Sequence, residues 1–219
     1  MAIPFLIISF LIGLRLIPYS FEQLWKDCIK DKSIKVCISL MLTISVFIYI
    51  LNPQFNYYVL WLNILFILAF VDLRHQSVRV YDLIFLTISL MPILAIRYSG
   101  LLPEMMIKSM IGEALVTLFF ASGLIALKYL LRAIYKQNAL GGADIWVMLT
   151  ILIAFGGISS IIAIYASIIY SGVFSLVSIV VFKKSKKTQV AFIPFLLMGV
   201  ITSMFFSEDI YKVYISLIQ

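Results

Sequence analysis

Residues 141–182 read GGADIWVMLTILIAFGGISSIIAIYASIIYSGVFSLVSIVVF, and the length of this stretch decides the fold. An apolar helix crosses the hydrocarbon layer in about 20 residues, so the run from Asp144 to Phe182 is too long for one ordinary crossing. It starts after Arg132 and Lys136 and stops before Lys183, Lys184, Lys186 and Lys187. Lysine and arginine collect in cytoplasmic loops, so both ends are expected on one side and the run must go out and return. Gly156-Gly157 is the expected turn, because paired glycines tolerate the positive φ of a tight reversal. At the mouth of the run, Gly141 and Gly142 precede a carboxylate, Asp144. An aspartate within a membrane helix costs roughly 2.5–3.5 kcal/mol at the centre and less near an end, so such residues usually face a cavity or a partner.

The same reading extends along the chain. Of 219 residues, 63% are hydrophobic and 12% charged, and almost no polar stretch is long enough to fold separately. The expected architecture is all-α: a polytopic transmembrane helical bundle of about eight membrane segments forming a single membrane-embedded domain over residues 1–219. The segments fall at about 2–17, 35–51, 57–72, 80–96, 109–131, 144–156, 157–182 and 190–206. Several are shorter than a full crossing, so some helices are expected to be oblique or incomplete. Residues 210–219 are expected to form an interfacial tail.

The loops set the orientation. Lys26, Lys30, Lys32 and Lys35 follow the first segment, Arg74 and Arg79 the third, Arg132 and Lys136 the fifth, and the lysines at 183–187 the seventh. These alternate loops are expected in the cytoplasm and the amino terminus outside. Ala2 to Ile17 has no basic residue ahead of it and reads as a retained first helix. The net charge of +7 lies in short loops between apolar runs, which fits membrane lipids as partners and not nucleic acid. Trp25, Tyr57, Tyr58 and Trp61 suit a membrane-interface belt.

Four acids lie in or beside apolar segments: Asp72, Asp82, Glu113 and Asp144. Asp72 is expected to end an inward-running helix and Asp144 to start an outward-running one, which brings both to the cytoplasmic leaflet. Asp82 enters the fourth segment from the same side and is the second choice of partner. Glu113 is expected near the external face, where a pairing with Lys108 or a structural hydrogen bond is the plainer role. Paired carboxylates suit peptide hydrolysis because like charges a few ångströms apart resist ionising together, leaving one base and one acid. The base activates water and the acid protonates the departing amine. Asp144, at a helix start, is the expected anion; Asp72, at a helix end, is the expected proton carrier. Gly141 and Gly142 lack β-carbons, so an extended peptide can approach their backbone closely. A flexible turn leading into the helix explains them equally well.

Other chemistries find fewer residues. His75 is the only histidine and suits an interfacial polar role. Cys28 and Cys37 are the only cysteines, too few for a four-cysteine zinc site, and no metal or other cofactor is expected. Ser122-Gly123 and Ser171-Gly172 lack the earlier glycine of a Gly-x-Ser-Gly nucleophile motif.

Asp-Leu-Arg-His-Gln at 72–76, Gly-Gly-Ala-Asp at 141–144 and Ala-Phe-Ile-Pro-Phe-Leu at 191–196 resemble, in this order, the motifs of type IV prepilin peptidases. Those enzymes are Gly-x-Gly-Asp intramembrane aspartyl proteases and include the late-competence processing peptidases. Ser9-Phe10-Leu11 through Arg15 and Pro18 looks like a worn form of the family's opening segment. The resemblance implies an aspartic endopeptidase of the bacterial cell membrane that cleaves the leader of prepilin-like or pseudopilin precursors at the cytoplasmic face. It also implies Asp72 and Asp144 as the catalytic pair, with Gly141, Gly142 and Ala143 along the substrate. Three positions depart from the family pattern: Ala143 replaces the motif's second glycine, Trp146 a lysine and Arg79 a proline. The last two make a catalytically inactive scaffold or assembly factor the alternative. A small transporter is a third reading, but it would spread its acids through the depth of the bilayer.

Overall fold

The computed structural model describes residues 43, 57–135, 141–181 and 190–218. Among these there are seven helices and no strand: α1 (Val59–His75), α2 (Val80–Ile88), α3 (Met91–Tyr98), α4 (Pro103–Tyr135), α5 (Gly142–Phe155), α6 (Gly157–Val180) and α7 (Ile193–Ile218). Apart from residue 43, the expected segments at 2–17 and 35–51, both cysteines, the opening Ser9-Phe10-Leu11 segment and the lysine-rich loops at 26–35 and 183–187 lie outside the described residues. Backbone contacts divide the chain into two compact units, 1–99 and 100–219.

In the first unit, α1 buries five consecutive residues from Trp61 to Leu65, so protein surrounds this part of the helix. It runs three residues past the expected end at 72. Arg74 and His75 form its exposed last turn, where the carbonyl end of the dipole favours cations. Gln76 stops the helix in the left-handed region at φ 48°, its N–H donating to the Asp72 carbonyl at 2.8 Å.

The segment expected to be continuous over 80–96 is broken into α2 and α3. Pro92, at the start of α3, has no N–H to return to the preceding turn. The hydroxyls of Thr87 and Ser89 donate to the carbonyls of Leu83 (2.9 Å) and Leu86 (2.6 Å), competing with the backbone ladder at the end of α2. The two pieces together still form one apolar stretch of 19 residues. Tyr58, which precedes α1, hydrogen-bonds Arg97 in the last turn of α3, which joins the ends of the two helices.

In the second unit, α4 extends 33 residues, about 50 Å at 1.5 Å per residue, and outruns the expected 109–131 at both ends. Glu104 and Lys108 lower the hydropathy of its first turns without opposing helix formation. Gly156 (φ 63°, ψ 166°) and Gly157 (φ 46°) separate α5 from α6 at the expected turn. The Gly156 conformation is essentially restricted to glycine, so Gly156→Ala is expected to destabilise the fold by about 1–3 kcal/mol. A lowered thermal unfolding midpoint in detergent would register this cost.

The expected tail at 210–219 is instead helical to Ile218, continuous with the last apolar segment. Ser207-Glu208-Asp209 interrupts the hydropathy but not the backbone, and Lys212 reaches Asp209 at 3.8 Å across one turn. Such an exposed pair adds little stability.

Close packing in this unit comes from small residues. Ser160, Ala163 and Ser167 line the buried stripe of α6, facing Gly199 and Ser203 of α7. Ser203 donates to the Ser159 carbonyl at 2.6 Å, and Tyr170 and Thr202 share a hydrogen bond of 2.9 Å. Without a hydrophobic drive between helices in lipid, backbone approach and interhelical hydrogen bonds of this kind supply the association.

By length and composition, four stretches among the described residues suffice to cross a membrane: Val80–Tyr98, Pro103–Leu130, Gly157–Val180 and Ile193–Val213. At 17 and 14 residues, α1 and α5 fall short, so the structure does not support the expected count of about eight segments. Apolar composition marked the segments, but the position of each helix end fixes whether a segment can span.

Candidate active site

Asp144 is the third residue of α5, and Gly141 caps that helix in extended conformation (φ −69°, ψ 150°). The Gly141 N–H donates to Asp144 Oδ2 at 3.0 Å, so the acid that begins the helix also closes its cap. This bond, with the positive dipole end of α5, stabilises a carboxylate at 144. Gly141 and Gly142 are exposed, Ala143 and Asp144 half-buried, and Ile145 buried, so the motif runs from the surface into the core within one turn. Trp146 is exposed.

The two glycines are not equivalent. A β-carbon on Gly141 would stand 2.7 Å from Asp144 Oδ2, whereas one on Gly142 would stand 3.9 Å from Lys128 Nζ, an ordinary contact. The first conflict is with the movable end of a side chain, so Gly141→Ala is expected to displace the carboxylate at little cost to the fold. If Asp144 is catalytic, cleavage falls about 10–100-fold in Gly141→Ala, below the full loss of an acid–base group because the carboxylate is displaced and not removed, and less in Gly142→Ala. Product formation measured on both variants, beside their melting points, tests the distinction.

Asp72 lies in the last turn of α1 and is 7% exposed, although Leu73, Arg74 and His75 after it are all exposed. It is therefore the last buried side chain of its helix, with its carbonyl engaged in the helix stop. Asp82 is the third residue of α2, 4% exposed, with its N–H on the Arg79 carbonyl at 3.1 Å. Since α1 and α2 are in contact within one unit, Asp72 and Asp82 flank a short connection, residues 76–79. Asp72 belongs to the first unit and Asp144 to the second.

Glu113 sits ten residues into α4, half-buried, with its carbonyl accepting from Thr117 Oγ1 at 2.8 Å. The 191–196 motif forms the start of α7: Ala191, Ile193 and Leu196 are buried, and the Phe192 carbonyl accepts from the N–H groups of Phe195 and Leu196. That segment builds core. Among the described residues, no three histidine, cysteine, aspartate or glutamate side chains gather as metal ligands.

Lys128, half-buried on α4, is the residue that sequence reasoning missed. It falls inside an apolar segment, and only the pairing of α4 with α5 shows that it reaches the Gly-Gly step. Comparisons with models of protein families, with curated proteins and with solved structures return no match to this chain.

Proposed function

We propose that the chain is an intramembrane aspartyl endopeptidase, with Asp72 and Asp144 as its catalytic pair. Its substrates are the leader peptides of prepilin-like or pseudopilin precursors, cut at the cytoplasmic face of a bacterial cell membrane. The observation that carries this reading is the position of the two acids: each lies within one turn of the end of an apolar helix, at a boundary between buried and exposed residues. The cationic residues beside them, Arg74 and Arg79 after α1 and Arg132 late in α4, support a common leaflet for both ends under the positive-inside rule. Such a pair works only if the two carboxylates share one water at that leaflet.

The chemistry follows from the local differences. Asp144, held by the Gly141 N–H, is the base that takes a proton from water; the hydroxide attacks the peptide carbonyl. Asp72, at the carbonyl end of its helix, carries the proton that passes to the departing amine. The exposed Gly141-Gly142 step, followed by Ala143, lets the substrate backbone approach closely. Incubating the membrane-embedded protein with a pseudopilin precursor tests the proposal. A shortened product that requires both Asp72 and Asp144 supports it, while an uncut precursor favours the inactive scaffold.

A further inference from the structure

We infer that Lys128 is a substrate-binding residue of this site, its ammonium holding a backbone carbonyl of the peptide that lies along Gly141 and Gly142. The inference rests on the peptidase reading and adds a binding group to it. Lys128 is the first charged residue of α4 after Glu113, so its charge ends an uncharged run of 14 residues, 114–127. Its Nζ stands 3.9 Å from the point that a Gly142 β-carbon would occupy. The ammonium thus borders the space left open by the absent side chain, on the exposed Gly-Gly step.

An ammonium has three donors and no acceptor, so only acceptors can satisfy it. Among the described residues, the first turn of α5 offers it only the carboxylate of Asp144, because the unpaired backbone groups there are N–H donors. An extended peptide supplies what is missing. The Gly141 N–H is held by Asp144 and Gly142 lies within α5, so a peptide crossing this step finds few partners there for its own carbonyls. At a membrane boundary an unpaired carbonyl is costly to desolvate, and a donor beside Gly142 removes that cost. The same lysine could serve only to bring its charge from the apolar helix to water, a role that needs no substrate and leaves KM unchanged.

Steady-state cleavage of a synthetic precursor peptide, with a basic leader ahead of an apolar segment, separates these roles in the reconstituted full chain. Lys128→Met and Lys128→Gln are expected to raise KM about tenfold, as for loss of a charged hydrogen bond, with kcat changed less than about threefold. Lys128→Arg is expected to recover most of the loss. Wild-type KM in both neutral variants, a defect confined to kcat, or an arginine no better than methionine would overturn the inference. The glutamine variant keeps a polar side chain at this position, so misfolding of the methionine variant alone does not obscure the result. If the wild-type chain leaves every precursor uncut, the peptidase reading itself falls; if it cuts and KM ignores position 128, only the role of Lys128 falls.

Discussion

Gly199→Leu is expected to separate α6 from α7 and to cost about 2–5 kcal/mol, combining overpacking with lost interhelical hydrogen bonds. A β-carbon at 199 would overlap the Ala163 carbonyl and Ser167 Oγ, so even alanine does not fit without movement. The Ser167 hydroxyl is already bound to the Ala163 carbonyl at 2.6 Å and is fully buried, which leaves it little freedom to turn away. The helices themselves must part. That movement stretches the bond from Ser203 to the Ser159 carbonyl and the bond between Tyr170 and Thr202, and it loosens the Phe174–Phe195 ring contact at 5.3 Å. Unfolding in mixed detergent reads the loss directly. A midpoint within error of wild type would show that the α6–α7 approach is wider than described, and Gly172→Leu, at an open position on α6, is the control.

The features that sequence reading located well are those fixed by local chemistry. The Gly156-Gly157 break could be found because a positive φ selects glycine, and the helix start near Asp144 because the apolar run begins there. Helix ends were less legible. Hydropathy placed the end of α1 at Asp72, but the backbone continues through polar Arg74 and His75 until Gln76 turns left-handed. Hydropathy likewise missed the last helical turns of α7 beyond Glu208 and Asp209, since polar residues on an exposed face do not stop a helix. The division at Pro92 was written in the sequence, as a proline preceded by Thr87 and Ser89, yet the uniform apolar composition around it concealed the break. Lys128 was illegible for a different reason. Its neighbour, Gly142, lies 14 residues on and beyond a helix end, so no spacing along α4 encodes the contact.

Under the proposed peptidase reading, Asp72→Asn and Asp144→Asn are each expected to reduce cleavage about a thousandfold, within the range assigned to general acid–base groups. Asparagine keeps the size of the side chain, and at 144 its oxygen can still accept the Gly141 N–H, so the α5 cap survives while the base is lost. At 72 the same change keeps a polar group in a nearly buried position but removes the proton carrier. Melting points close to wild type in both variants would locate the loss in chemistry. Two groups that share one proton act as a unit, so the double variant should fall little below the worse single variant. Fully multiplicative losses would mean that the acids act independently and would overturn the pairing. Asp82 provides the decisive comparison, because it is as buried as Asp72 and lies in the same unit. If Asp82→Asn abolishes cleavage while Asp72→Asn retains it, the partner of Asp144 is the acid at the start of α2, and the proton donor works from a helix amino terminus like the base.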